Sequence, residues 1–309
     1  MRAVAFGGFG ERPELTDLPV PEPGPGEVLV EVRASTVNGF DLAVLGGYLK
    51  GAQEHEFPVV LGKDFAGVVA AVGEGVESPA VGQEVFGVVM RPTLGQGAFA
   101  EYVVVPAAHG VAPVPAGLSL PRAAALGLAA TTALNAVDAV SPGPGEVVLV
   151  SGATGGVGGY AVQLAAARGA VVLATAKPGP EAAFVTGLGA AHTVDHTGDL
   201  AAQVRALAPG GLHAALHLAG DGDAIAALLA DGGRFASTIH HTPELPSERG
   251  VTTTTIMADP RPDTLAHLAA EAAAGRLRTP ISRTYPLSEA LEALATFPVG
   301  TVGKLCVTV

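Results

Sequence analysis

VVLVSGATGGVGGYAVQLAA, residues 147–166, decides the fold of this 309-residue chain. A β-branched apolar run ends at Val150, a glycine-rich turn follows, and apolar residues at helical spacing come next. Strand, turn and helix in that order form a unit suited to a dinucleotide pyrophosphate. Ala153, Gly155 and Gly158 stand where the three glycines of G-x-G-x-x-G would stand, with alanine in the first place. Gly155 lets backbone approach phosphate, and Gly158 lets the helix pack closely on its strand. The helix start offers free N–H groups and a positive dipole end to the anion. The candidate cofactor contacts are therefore Ala153, Thr154, Gly155, Gly156, Val157 and Gly158. The competing reading is an ordinary tight strand–helix turn.

Outward from this stretch, strands and helices alternate. VVLATA (171–176), HTVDH (192–196), LHAALHLAG (212–220) and GRFASTI (233–239) read as strands with single helices between them. Such alternation implies a parallel sheet with right-handed crossovers. VTTTTIM (251–257) reads as its last strand, followed by a helix over 264–274 and a terminal strand, KLCVTV. Before residue 115 the chain reads as β-rich, in VLVEV (28–32), FAGVVAAV (65–72), EVFGVV (84–89) and AFAEYVVV (98–105). A helix over 120–137 follows, with Pro121 in its first turn. The chain is thus α/β with two domains.

Composition bounds the function. The chain is 49% hydrophobic and 15% charged, enough for a sizeable core. A net charge of -12 argues against a nucleic-acid partner. Cys306 is the single cysteine, which leaves no intrachain disulfide and no cysteine-rich metal site. The opening MRAVAFGGFGERPELTD does not read as a signal peptide, and the alanine-rich stretch 123–140 reads as too polar and too short for a membrane span. The expectation is a cytoplasmic enzyme.

Several motifs in order resemble the medium-chain dehydrogenase/reductase superfamily, in its zinc-free, NADPH-dependent quinone oxidoreductase (zeta-crystallin-like) branch. They are STVNGFDLAVLGGY (35–48), FPVVLGKDFAGVVAAVG (57–73), GAFAEYVVVP (97–106), LAATTALNAV (128–137), SGATGGVG and VGKLCV (302–307). The resemblance implies a GroES-like β-barrel domain, split in sequence over 1–119 and 259–309, with a Rossmann domain inserted at 120–258. It also implies a homodimer, for which VTTTTIM is a candidate edge because it lacks the charges that blunt exposed strands.

The zinc alcohol dehydrogenases of this superfamily have a cysteine where this chain has Asn38 and a histidine where it has Lys63. An ammonium cannot serve as a zinc donor, and the nine histidines lack metal-ligand spacing, so no metal is expected. The adjacent pair His240 and His241, in extended chain, would point to opposite faces. The end of 171–176 carries no acid for a ribose hydroxyl, whereas Lys177 can meet a 2′-phosphate, so the expected cofactor is NADPH. Lys177 also reads as an ordinary solvated lysine. The resemblance places Thr132 near the nicotinamide and Lys304 near the cofactor cleft.

Without a Lewis acid, conjugated acceptors are the easier substrates, because hydrogen bonds can stabilise charge spread onto oxygen. Asn38 could bond a carbonyl or the ribose, or simply cap the turn. Asp41 could touch substrate, orient backbone or anchor Lys63. Tyr48 follows GG in a loop that the resemblance places over the substrate, and is either a proton donor or a packing aromatic. The expected function is reduction of a quinone or α,β-unsaturated carbonyl. The alternatives are a trans-acting enoyl-thioester reductase and an NADPH-binding sensor without turnover. Arg276 and Arg278 are the only compact basic pair for a thioester carrier's phosphate.

Overall fold

The computed structural model describes residues 1–309. In chain order the first elements are β1 (Arg2–Phe6), β2 (Glu14–Asp17), β3 (Glu27–Thr36), α1 (Gly39–Leu45), β4 (Val59–Val60), β5 (Asp64–Val72), β6 (Glu84–Val88), β7 (Tyr102–Pro106) and β8 (Val111–Pro113). Helix α2 (Leu120–Val140) leads to β9 (Val147–Val150), α3 (Gly156–Ala167), β10 (Val171–Thr175), α4 (Pro180–Gly187), β11 (His192–Val194) and α5 (Leu200–Leu207). Then come β12 (Leu212–His217), α6 (Gly222–Ala226), β13 (Leu229–Ser237) and β14 (Thr252–Thr255). The chain closes with α7 (Pro262–Ala273), β15 (Ile281–Pro286), α8 (Ala290–Thr296) and β16 (Lys304–Thr308).

The chain divides into two compact units, Met1–Thr131 with Pro260–Val309, and Thr132–Asp259. In the first, a seven-stranded sheet runs β15-β16-β3-β5-β6-β8, with β7 also paired to β3, beside a small sheet β2-β1-β4. Val28, Val30 and Val32 alternate inward along β3 and pack with Phe65, Val85 and Val103 in one apolar core. Its sheets and core make up the β-rich part of the α/β fold.

The second unit is a parallel six-stranded sheet in the order β11-β10-β9-β12-β13-β14. Numbered within the unit this is 3-2-1-4-5-6, the doubly wound Rossmann order, with β9 first and central. Its β-branched strands are buried on both faces, as parallel strands covered by helices must be. The edge strand β14 is four exposed threonines.

Three expectations change. The stretch 98–101 is not strand: Phe99 N–H donates to Leu61 O and Ala98 N–H to Gly62 O, so these residues serve a neighbouring loop before β7 begins. Helix α2 reaches 21 residues, so by length and composition it is long and apolar enough to cross a membrane, against the expectation of a stretch too short. Its apolar window is 67% buried inside the protein, the condition of a core helix. His240 is not in extended chain: its φ is +56°, beyond the end of β13, so the opposite-face argument does not apply there.

Candidate active site

Strand register assembles a buried polar network in the first unit. Antiparallel pairing of β3 with β5 sets Ala34 opposite Ala66, which brings Thr36 level with Asp64. Pairing of β16 with β3 sets Cys306 opposite Thr36, which brings Lys304 level with Asn38, just past the end of β3. One Asp64 oxygen accepts from Thr36 Oγ1 and from Asn38 Nδ2 at 2.8 Å. Its other oxygen accepts from the Leu128 N–H of α2 at 2.6 Å. A Cβ on Gly127 would stand 2.4 Å from that oxygen, so the helix approaches the carboxylate only because residue 127 is glycine.

Lys304 completes the network. Its Nζ donates to Asn38 Oδ1 at 2.6 Å and to Val37 O at 3.1 Å, and lies 3.4 Å from Asp64 Oδ2. Lys304 is 3% exposed and Asp64 0%. A buried ion pair persists only where the remaining protons and lone pairs are satisfied; here three acceptors meet the three ammonium protons. Asn38 is consumed by this arrangement. Its Nδ2 donates to Thr36 O at 3.2 Å and to Asp64, while its oxygen faces Lys304. Both amide protons are therefore spent within the protein.

Asp41 lies in the first turn of α1 and is 2% exposed. Its carboxylate accepts from Asn38 N–H at 2.8 Å and Gly62 N–H at 3.2 Å, so it orients two backbone segments. Burial raises its pKa to about 7, Asp64 adds to the rise, and the two N–H groups and Lys304 oppose it. Lys63 precedes β5 with its Nζ 4.7 Å above the Phe40 ring. Burial lowers its pKa to about 8 against the pull of Asp41 and Asp64. Phe40, Asp41, Val44, Leu61, Lys63 and Leu94 are among the walls of one cavity of about 20 Å³. That is room for about one water or one oxygen atom. Tyr48 lies outside these walls, 83% exposed and with its ring against Gly46.

In the second unit the glycine turn fits a dinucleotide. A Cβ on Gly158 would meet Gly152 O at 2.2 Å and Ala153 Cα at 2.6 Å, so close helix–strand packing demands glycine there. A Cβ on Gly155 would make only an ordinary 3.4 Å contact. Packing therefore does not require Gly155; a ligand lying on bare backbone would. Gly155 is also the N-cap of α3 and supplies no side-chain cap to its N–H groups. Ala153 is buried, whereas Thr154, Gly155, Gly156 and Val157 are half-buried around the turn. Lys177 is exposed past the end of β10, and its N–H donates to the Glu181 carboxylate at 2.9 Å. Thr132 is half-buried in α2, and its neighbour Thr131 holds a buried hydroxyl without a partner.

Sequence reading missed His217. It ends β12, where parallel sheets bind ligands beyond the carboxyl ends of their strands. Gly220 O accepts from its Nε2 at 3.1 Å, which leaves Nδ1 to accept from Ser237 Oγ at 3.1 Å. Burial lowers its pKa and keeps it neutral. His241 faces Asp223 at 3.3 Å, and His240 is exposed. The cysteine is inert by environment: burial raises the Cys306 thiol to about 11.

Comparison with known proteins follows the same division. Residues 24–116 match the alcohol dehydrogenase GroES-like domain family, and residues 188–307 match the zinc-binding dehydrogenase family. The chain is 35% identical to the chloroplastic quinone-oxidoreductase homolog of Spinacia oleracea over 63% of its own length and 61% of the relative's. It is 34% identical to the spectinabilin polyketide synthase system protein NorB of Streptomyces orinoci, over 99% of its own length and 14% of that protein. The chain thus spans under two thirds of both relatives. The solved structure of an NAD-dependent alcohol dehydrogenase superposes on this chain with a TM-score of 0.89 at 32% identity, covering 100% of both chains.

Proposed function

Since the chain belongs to the medium-chain dehydrogenase/reductase superfamily of oxidoreductases, we propose that it is a zinc-independent enzyme reducing a quinone or an α,β-unsaturated carbonyl with NADPH. The observation that carries this reading is the contact between Lys304 Nζ and Asn38 Oδ1. The oxygen at the position of the zinc enzymes' cysteine is held by an ammonium, and Lys63, at the position of their histidine, is a second cation. This donor set does not fit zinc, which needs thiolate, neutral imidazole or carboxylate. An alcohol or simple aldehyde then has no Lewis acid to polarise it, whereas a conjugated carbonyl spreads its own developing charge.

The cofactor, when bound, supplies the hydride. The backbone of Gly155, Gly156 and Val157 would hold its pyrophosphate, and Lys177 its 2′-phosphate. The missing acid at the end of β10 supports NADPH, and Glu181 is the carboxylate that works against it. The exposed edge of β14 supports assembly as a homodimer through a second copy of that strand.

The test is oxidation of NADPH and NADH against benzoquinones, enones and crotonyl thioesters, with and without EDTA. Turnover of quinones or enones, preferred with NADPH and indifferent to EDTA, is the expected result. Loss of rate with EDTA, restored by zinc, overturns it. A second reading, enoyl-thioester reduction, is favoured by the match to the polyketide synthase protein over 99% of this chain, and preference for the crotonyl thioester would establish it.

A further inference from the structure

We propose that Lys63 is the proton donor of the reduction, its ammonium meeting the acceptor's carbonyl oxygen in the cavity it shares with Asp41; the proposal rests on the conjugated-carbonyl reading above. Lys304, Asn38, Thr36 and Asp64 satisfy one another, and Asp41 is held by two backbone N–H groups. Lys63 is the exception. Its Nζ lies over the Phe40 ring and donates to no protein acceptor. A half-buried ammonium with three unspent protons, at the wall of a cavity, is aimed at something the cavity receives.

The cavity limits what that is. At about 20 Å³, with Val44, Leu61 and Leu94 as apolar walls, it admits an oxygen atom and not a ring. A quinone or enone would therefore present its carbonyl oxygen and keep its carbon skeleton outside. As the acceptor is reduced, the electron pair of its C=O π bond collects on oxygen. An O–H bond then forms as one Nζ–H bond breaks, leaving Lys63 a neutral amine and the acceptor an enol or hydroquinone. Water returns the proton to the amine, so one solvent proton is consumed per turnover. Burial has already weakened the ammonium toward about 8, which suits proton transfer near neutral pH. The charged groups facing Lys63 are Asp41 from α1 and Asp64 from β5, and both favour its protonated form.

Three measurements test this in the full-length protein. Lys63→Met should lower kcat for an enone about 100-fold at pH 7, within the range of lost acid catalysis, with the dissociation constant for NADPH unchanged. Wild-type kcat should fall as pH rises through about 8, and Lys63→Arg, which stays charged, should lose that limb. Acetic anhydride labelling of Lys63, read by mass spectrometry without turnover, should have its midpoint near 8 rather than 10.5. A Lys63→Met enzyme with wild-type rate and an intact alkaline limb overturns the proposal while leaving the conjugated-carbonyl reading in place. A labelling midpoint at 10.5 overturns it as well. A wild type that turns over no quinone or enone fails the function reading first and the proposal with it.

Discussion

Lys304 Nζ sits 2.6 Å from Asn38 Oδ1 and 3.4 Å from Asp64 Oδ2, so one ammonium ties the last strand of the chain to the start of α1 and of β5. Three segments distant in sequence depend on a single charge. Removing one partner of such a buried pair leaves the other uncompensated and costs about 3–5 kcal/mol. Lys304→Met should therefore lower the unfolding free energy measured in urea by that much, through a lower midpoint at an unchanged slope. A loss under about 1 kcal/mol would show that Thr36, Asn38 and the Leu128 N–H satisfy Asp64 without the ammonium.

Asp41 should make stability fall as pH rises. Its folded pKa is about 7, against an ordinary 3.8. Below 3.8 both states hold the proton; between 3.8 and 7 the unfolded chain releases it while the folded chain keeps it, so unfolding is favoured progressively. Glu101, Glu146, Asp195 and Glu271, all lowered, act in the opposite sense, which makes a difference measurement necessary. Relative to wild type, Asp41→Asn should gain stability from pH 5 to pH 8. A flat difference would refute the assignment.

The two turn glycines should fail in different ways. Gly158→Ala forces a methyl against Gly152 O and should cost about 1–3 kcal/mol of folding stability. Gly155→Ala should fold with near wild-type Tm yet bind NADPH at least about tenfold more weakly, since only a ligand needs that space. Thermal melts and fluorescence titration separate the two. Equal destabilisation by both would remove the distinction.

Lys177→Met should weaken NADPH by about 10–100-fold, the worth of a charged hydrogen bond, and leave NADH unchanged. Titration of both nucleotides decides the matter; parallel losses would mean that Lys177 does not meet the 2′-phosphate.

What the sequence made legible was local. The β9–α3 turn and the alternation through β14 carry their own periodicity, and the structure follows it closely. The strands that escaped notice are short or polar on the surface: β15 buries only Tyr285 fully, and β1, β2 and β4 form a small satellite sheet. The site was half legible. Asn38, Asp41 and Lys304 could be picked out by resemblance, but their mutual contact spans up to 266 residues and follows from the register of β16 on β3. Asp64 passed unremarked, although an acid inside the apolar run LGKDFAGVV is a signal of a buried partner. Lys63 was read as a lost metal ligand and as a group that Asp41 could anchor, because nothing in sequence shows that it lines a cavity.

Gly127 and Asp64 have a consequence for redesign. The Asp64 carboxylate occupies the space a side chain at 127 would need and bonds the N–H of the residue after it. Helix position and charge network are thus one decision. Grafting cysteine and histidine at 38 and 63 would not by itself make a metal enzyme of this scaffold. The Lys304 ammonium would still compete for the centre, and deleting it would strand a carboxylate that also anchors α2. Placing a metal centre at 38 and 63 would therefore require positions 64, 127 and 304 to change with them.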